Sequence, residues 1–243
     1  MKRALPLLLG LACAVAIGLS AKLIWEKFAR LREAKRTEKT VADRVQEFGA
    51  AVDSRLAPYF RANGVAYPPE QLVLVGLKKE RRLEVYASAH RDREMRFIRS
   101  YPILGASGEL GPKLREGDYQ VPEGLYRIES LNPNSLYHLG LRVNYPNVAD
   151  RERAKAEGRA NPGSDIMIHG GSSSVGCLAM GDETAEDLFI LAARTGLENI
   201  RLLLCPLDFR NSPPPDLHAM PPWTGALYGE LRGALIALPA PTR

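Results

Sequence analysis

Apolar residues recur three and four positions apart at Val41, Val45, Phe48, Val52 and Leu56, which predicts an amphipathic helix from Trp25 to about Phe60. Its first part, 26–40, is more polar and reads as a stalk, and Asn63-Gly64 and Pro68-Pro69 close the region. The period then drops to two. Segments 72–77 and 82–87 flank Lys78-Lys79-Glu80-Arg81 as a hairpin, and 95–104 alternates up to Gly105. Gly111, Pro112, Gly117, Pro122 and Gly124 mark a loop-rich stretch, followed by a strand at 125–128 and alternation over 135–145. Segment 150–159 reads as a short surface helix ended by Asn161-Pro162-Gly163, and 165–169 as a short strand running into glycines and serines. Thr184-Ala185-Glu186-Asp187 resembles a capping box opening a helix to about Thr195. A buried strand at 200–206 and an amphipathic helix at 223–238 complete the chain. Many short strands and few helices predict a β-rich α+β domain rather than a doubly wound sheet.

The N-terminus carries a different pattern. Met1-Lys2-Arg3 precede an apolar run over 4–21, expected to be a signal peptide or an uncleaved membrane anchor. The expected organisation is thus a leader at 1–21, a helical segment at 22–66 and one large domain at 67–243. Lys22, Lys27, Arg30, Arg32, Lys35 and Arg36 outnumber Lys2 and Arg3 before the run. By the positive-inside rule alone the domain would stay in the cytoplasm.

Composition narrows the function classes. The chain has 243 residues, 45% apolar and 25% charged, enough for a packed core without covalent staples. A net charge of +5 raises the question of nucleic acid, but Lys and Arg alternate with Glu over 26–46 and no basic run carries interleaved aromatics. Nucleic acid is therefore not an expected partner; an anionic wall polymer or lipid surface suits the mild basicity better. Of three cysteines Cys13 lies in the leader, so Cys177 and Cys205 do not form a disulfide framework. Cys205, among Leu202, Leu203, Leu204 and Pro206, reads as a small buried hydrophobe.

The informative stretch is Asp165-Ile-Met-Ile-His169-Gly170-Gly171-Ser172-Ser173-Ser174-Val175-Gly176-Cys177. A histidine at a strand end and a cysteine eight residues later across a Gly/Ser loop can fold back into contact, as thiolate formation requires. Gly176 lets backbone approach a substrate carbonyl, and its amide and that of Cys177 are candidate oxyanion donors. On the residues alone, a cysteine in a turn is more often structural than reactive, and a histidine ending a strand is often just hydrogen-bonded. Two ligands at His-x7-Cys spacing do not make a zinc site, so no metal is expected. His138 reads as a structural histidine. Tyr137, Tyr145, Asn147 and Gly170 are candidates for the substrate cleft, the first three fitting strand ends equally well.

Ser174-Val175-Gly176-Cys177 with His169-Gly170 resembles the active-site motif of the L,D-transpeptidases, the YkuD-type catalytic domain, and its YafK-like branch in particular. Gly111-Pro112-Lys113, Gly117-Asp118, Val121-Pro122-Glu123-Gly124-Leu125-Tyr126, Ser135-Leu136-Tyr137-His138-Leu139 and Asn144-Tyr145-Pro146-Asn147 extend the resemblance over about 95–210. It implies a β-sandwich catalytic domain with flanking helices, Cys177 as nucleophile and His169 as proton donor and acceptor. A backbone carbonyl in the 172–175 loop, at Ser174, would orient the imidazole. The implied substrates are peptidoglycan stem tetrapeptides, with no cofactor, acylated through a thioester and passed to an amine acceptor such as a wall-anchored protein. Resolution by water, trimming stems or releasing wall-linked protein, is the alternative; a non-catalytic wall-binding module is the second. Peptidoglycan lies outside the inner membrane, so the implied location is the periplasm or cell envelope. Val175 stands where the family commonly has His, and Leu178-Ala179-Met180 where an Arg is common. Lys113, Arg142 and Arg151 are the candidate substitutes for that Arg.

Overall fold

The computed structural model describes residues 38–90 and 94–241. The leader and its cleaved or anchoring fate lie outside them, as does the stalk up to residue 37. Among the described residues no helix is long and apolar enough to cross a membrane.

Helix α1 (Val41–Ala62) is the part of the expected helix that falls within the described residues; the part before residue 38 lies outside them. Thr40 is extended and its hydroxyl accepts the Asp43 N–H while Asp43 accepts from the Thr40 N–H, a capping box at the N-terminus of α1. Its stripe, Val52, Leu56 and Phe60, is buried.

Strands β1 (Gln71–Leu77) and β2 (Arg82–Ser88) form the expected hairpin, and β3 (Arg96–Pro102) extends it. A short β4 (Gly105–Ala106) precedes the loop-rich stretch. Strand β5 (Gly124–Ser135) and β6 (His138–Val143) pair through a tight turn in which His138 takes φ +69°. The alternation over 135–145 thus hides a turn at its start. Helix α2 (Val148–Ala156), strands β7 (Met167–His169) and β8 (Leu178–Ala179), helix α3 (Asp182–Thr195), strand β9 (Ile200–Cys205) and helix α4 (Thr224–Ile236) follow.

The strands lie in the order β3-β2-β1-β9-β5-β6-β7-β8-β4. β5 spans two halves: its first residues pair with β9, its later ones with β6. Leu72, Leu74, Leu202 and Leu204 from one half share a core with Leu139, Leu141, Ile168 and Leu178 from the other, together with α1 and α3 residues. The mixed sheet is folded over its own apolar face, the sandwich that the resemblance implied. The alternate residues Val73, Val75, Leu77, Leu203 and Cys205 face the opposite way and pack on Leu227, Tyr228, Leu231 and Leu235 of α4. Burial on both faces explains why β1 and β9 read as continuous apolar runs.

Candidate active site

β7 and β8 are parallel neighbours, with Ile168 beside Leu178 and His169 beside Ala179. The chain between them must reverse within eight residues, and glycines permit it. The Gly170 N–H donates to the carbonyls of Tyr137 and Leu139, and a Cβ there would lie 2.5 Å from Asp182 Oδ1 and 2.7 Å from the Tyr137 oxygen. Gly170 is thus a packing requirement of the β6–β7 join. Gly171 is tied to α3 through its N–H to Asp182 Oδ1 at 2.8 Å.

His169 is buried, and its Nδ1 lies 2.6 Å from the Gly170 carbonyl. A carbonyl only accepts, so the proton sits on Nδ1 and the Nε2 lone pair is left for chemistry. The orienting carbonyl is therefore that of Gly170, adjacent in sequence, and not the one expected at Ser174. Tyr137 stacks on the imidazole with ring centroids 4.6 Å apart. Burial lowers the His169 pKa, opposed by the Gly170 hydrogen bond.

The Cys177 Sγ receives the Met167 N–H at 3.4 Å, and its own proton points to the Asp165 carbonyl at 3.7 Å. Among the described residues no hydrogen bond joins His169 to Cys177. Burial raises the thiol pKa; the Met167 N–H lowers it, the Asp165 charge raises it and the Lys113 charge lowers it. Gly176, at φ +92°, holds a conformation that favours glycine. Its N–H is engaged by Ser107 Oγ at 2.6 Å, so it is not the open oxyanion donor anticipated. The N–H of Cys177 has no acceptor among the described residues. Ser174 donates to the Cys177 carbonyl at 2.6 Å and so braces the turn instead of the imidazole. Val175 is 66% exposed.

Of the candidate replacements for the missing Arg, two reach this neighbourhood. Arg142, opposite Met167 on β6, pairs at 2.5 Å with Asp165, whose carbonyl faces Sγ and whose φ is +58°. Lys113 acts on Cys177 by charge while pairing with Asp118 at 2.5 Å. Arg151 stands elsewhere, in a cleft of about 1260 Å³ with Tyr145 and Asn147. There the Tyr145 hydroxyl donates to the Pro162 carbonyl, and Asn147 caps α2. The structure thus places Tyr137 and Gly170 against His169 and does not bring Tyr145 or Asn147 to it. His138 bonds Glu186 at 3.0 Å and packs edge-on against Phe48, a structural histidine. The sequence reading missed Ser107 and Asp182. Their one trace is position: Ser107 stands between Gly105-Ala106 and Gly108, and Asp182 follows Gly181.

A thiol, a neutral imidazole with a free Nε2 and an unpartnered amide on the cysteine itself are the parts that acyl transfer uses. The matches agree. Residues 70–196, just over half of the chain, match the L,D-transpeptidase catalytic domain known as YkuD, and the chain belongs to that family. It is 35% identical over 114 residues to YafK of Escherichia coli strain K12, itself named only provisionally as an L,D-transpeptidase. That alignment covers 46% of this chain and 43% of YafK, less than half of either protein. Among solved structures, the helical cell shape determining protein Pgp2 of Campylobacter jejuni aligns at 22% identity and TM-score 0.43, covering 55% of this chain and 47% of its own. Bd1075 of Bdellovibrio bacteriovorus aligns at 20% and 0.39, covering 55% and 46%. At such scores they add nothing to the family match.

Proposed function

We propose that this protein is a peptidoglycan L,D-transpeptidase of the cell envelope, acting through Cys177 and a thioester acyl-enzyme. The observation that carries the reading is the placement of His169 one strand from Cys177, with Nδ1 2.6 Å from the Gly170 carbonyl so that Nε2 is left to act as a base. Catalytic hydrogen bonds often close only when substrate is bound, so the thiol's resting turn toward Asp165 is compatible with this role.

His169 Nε2 takes the thiol proton and Sγ attacks the carbonyl of the third-position diamino acid in a stem tetrapeptide. The oxyanion forms against the Cys177 N–H. The C–N bond to the terminal D-Ala breaks, and its nitrogen takes the proton from His169 and leaves as free D-Ala. An amine from a second stem or a wall-anchored protein then attacks the thioester, loses its proton to His169 and restores the thiol. Export follows from the location of the substrate, with residues 1–21 as signal peptide or retained anchor.

The test is to incubate the full-length protein with a muropeptide tetrapeptide and an amine acceptor, beside Cys177→Ala, and follow products by mass spectrometry. D-Ala release with a crosslinked dimer or amine adduct, absent from Cys177→Ala, is the expected result. Cysteine-dependent release of D-Ala alone, or cleavage of existing crosslinks, would make it a hydrolase. No turnover at all would leave a wall-binding module.

A further inference from the structure

We propose that Ser107, far from the motif in sequence, is a positioning residue that sets the nucleophile turn so that the Cys177 amide serves as the oxyanion donor. The inference rests on the reading of Cys177 as nucleophile. Ser107 follows β4, which is held beside β8 by the pairing of Gly105 with Ala179 and Ala106 with Leu178. That places its hydroxyl at the turn 69 residues further on.

The hydrogen bonds fix their own directions. The Tyr119 carbonyl, 2.7 Å away, can only accept, so Ser107 Oγ–H donates there and its oxygen accepts the Gly176 N–H at 2.6 Å. Ser174 repeats the pattern: Oγ–H donates to the Cys177 carbonyl at 2.6 Å, and the oxygen accepts the Ser107 N–H at 3.3 Å. With both protons engaged, the 3.3 Å approach between the two hydroxyl oxygens is a contact only. The two serines thus turn the Gly176 N–H and the Cys177 C=O inward. Of the groups around the nucleophile, the Cys177 N–H is left without an acceptor among the described residues. Gly176 keeps the φ this needs, and a Cβ there would approach the Gln120 carbonyl at 3.4 Å. The stretch around Tyr119 and Gln120 is therefore a wall on which the turn is mounted.

The experiment compares the full-length protein with Ser107→Ala and Ser107→Thr in two assays. The first is the pH profile of iodoacetamide alkylation, followed on the Cys177 peptide by mass spectrometry so that Cys13 and Cys205 do not contribute. The second is steady-state release of D-Ala from a muropeptide tetrapeptide. Ser107→Ala is expected to lower kcat by about 10²-fold with KM nearly unchanged, the pattern of a misplaced group acting in the transition state. It is also expected to move the alkylation midpoint to higher pH, as Sγ drifts from the Met167 N–H. Ser107→Thr, which keeps the hydroxyl, restores both. Wild-type kcat and midpoint in Ser107→Ala would overturn the proposal. So would loss of activity in proportion to melting temperature, with an unmoved midpoint and no rescue by Thr. If the wild type itself releases no D-Ala, the functional reading fails, and the alkylation profiles alone decide the role of Ser107.

Discussion

His169 and Cys177 are pushed toward the same uncharged state by one cause, because burial disfavours imidazolium and thiolate alike. The imidazole pKa falls and the thiol pKa rises, so at neutral pH the resting pair is thiol and imidazole, not an ion pair. Alkylation follows the thiolate fraction, and a raised thiol pKa means that fraction grows only at high pH. The Cys177 alkylation rate of the wild type should therefore rise once, through a midpoint above that of an ordinary cysteine, with no plateau in the neutral range. A midpoint near neutrality would show an ion pair already formed and contradict the resting state described. His169→Ala should barely move that midpoint yet lower D-Ala release by about 10²- to 10⁴-fold. At this scale the sequence was readable where the chemistry is local, since the spacing of His169 and Cys177 lies within one loop. It misled where partners come from afar. The Gly176 amide looked open because Ser107 is 69 residues away, and the imidazole's anchor lay at Gly170 itself, closer than expected.

Helix boundaries show the same division between local and distant causes. The Asn147–Asp150 capping box was not singled out in the sequence, yet it starts α2 at Val148, two residues before the expected helix. Thr184 looked like the cap of α3, but that helix begins at Asp182 after Gly181, which sits at φ +78° with no side-chain cap. The Asp182 carboxylate instead holds Gly171, so the first turn of the helix is tied to the motif loop. In α1 the apolar period correctly marked Val52 and Leu56, and burial extends to Phe60, which packs edge-on to Tyr67 at 5.0 Å between ring centroids. We take α1 to be an integral layer of the catalytic domain. Phe60→Ala should cost about 3–5 kcal/mol in urea unfolding of the full-length protein, the range for an aromatic lost from a packed core. A loss within about 0.5 kcal/mol, the level of a surface change, would make the helix an accessory.

At the scale of the fold, the described residues form one core inside the curl of the sheet and a second beneath α4, and buried charge links this framework to the turn that carries Cys177. Glu123 accepts Lys78 Nζ and the Gly111 N–H at 2.8 Å each through Oε1, and the Tyr228 hydroxyl at 2.6 Å through Oε2. The remaining Lys78 protons go to the carbonyls of Gly111 at 3.1 Å and Val121 at 3.0 Å, so all three donors are used. One network thereby fastens the end of β1, helix α4 and both ends of the 111–121 segment, which carries Tyr119 and Gln120 to the nucleophile turn. In the sequence Lys78 was only a turn residue and Glu123 part of a resembling motif, because nothing local marks a contact between positions 45 residues apart. Burial lowers the Lys78 pKa and Glu123 opposes it, so the ammonium depends on its partner. Glu123→Ala should then cost about 3–5 kcal/mol, the penalty for a buried charge left uncompensated. Replacing both, Lys78→Met with Glu123→Leu, should recover only the part due to the unpaired ammonium, since the Gly111 N–H and the Tyr228 hydroxyl still lack the Glu123 carboxylate. D-Ala release should stay impaired in the double variant, because the Gly111 and Val121 anchors of the segment are gone. Full recovery of turnover along with stability would show that the network holds the fold and not the site.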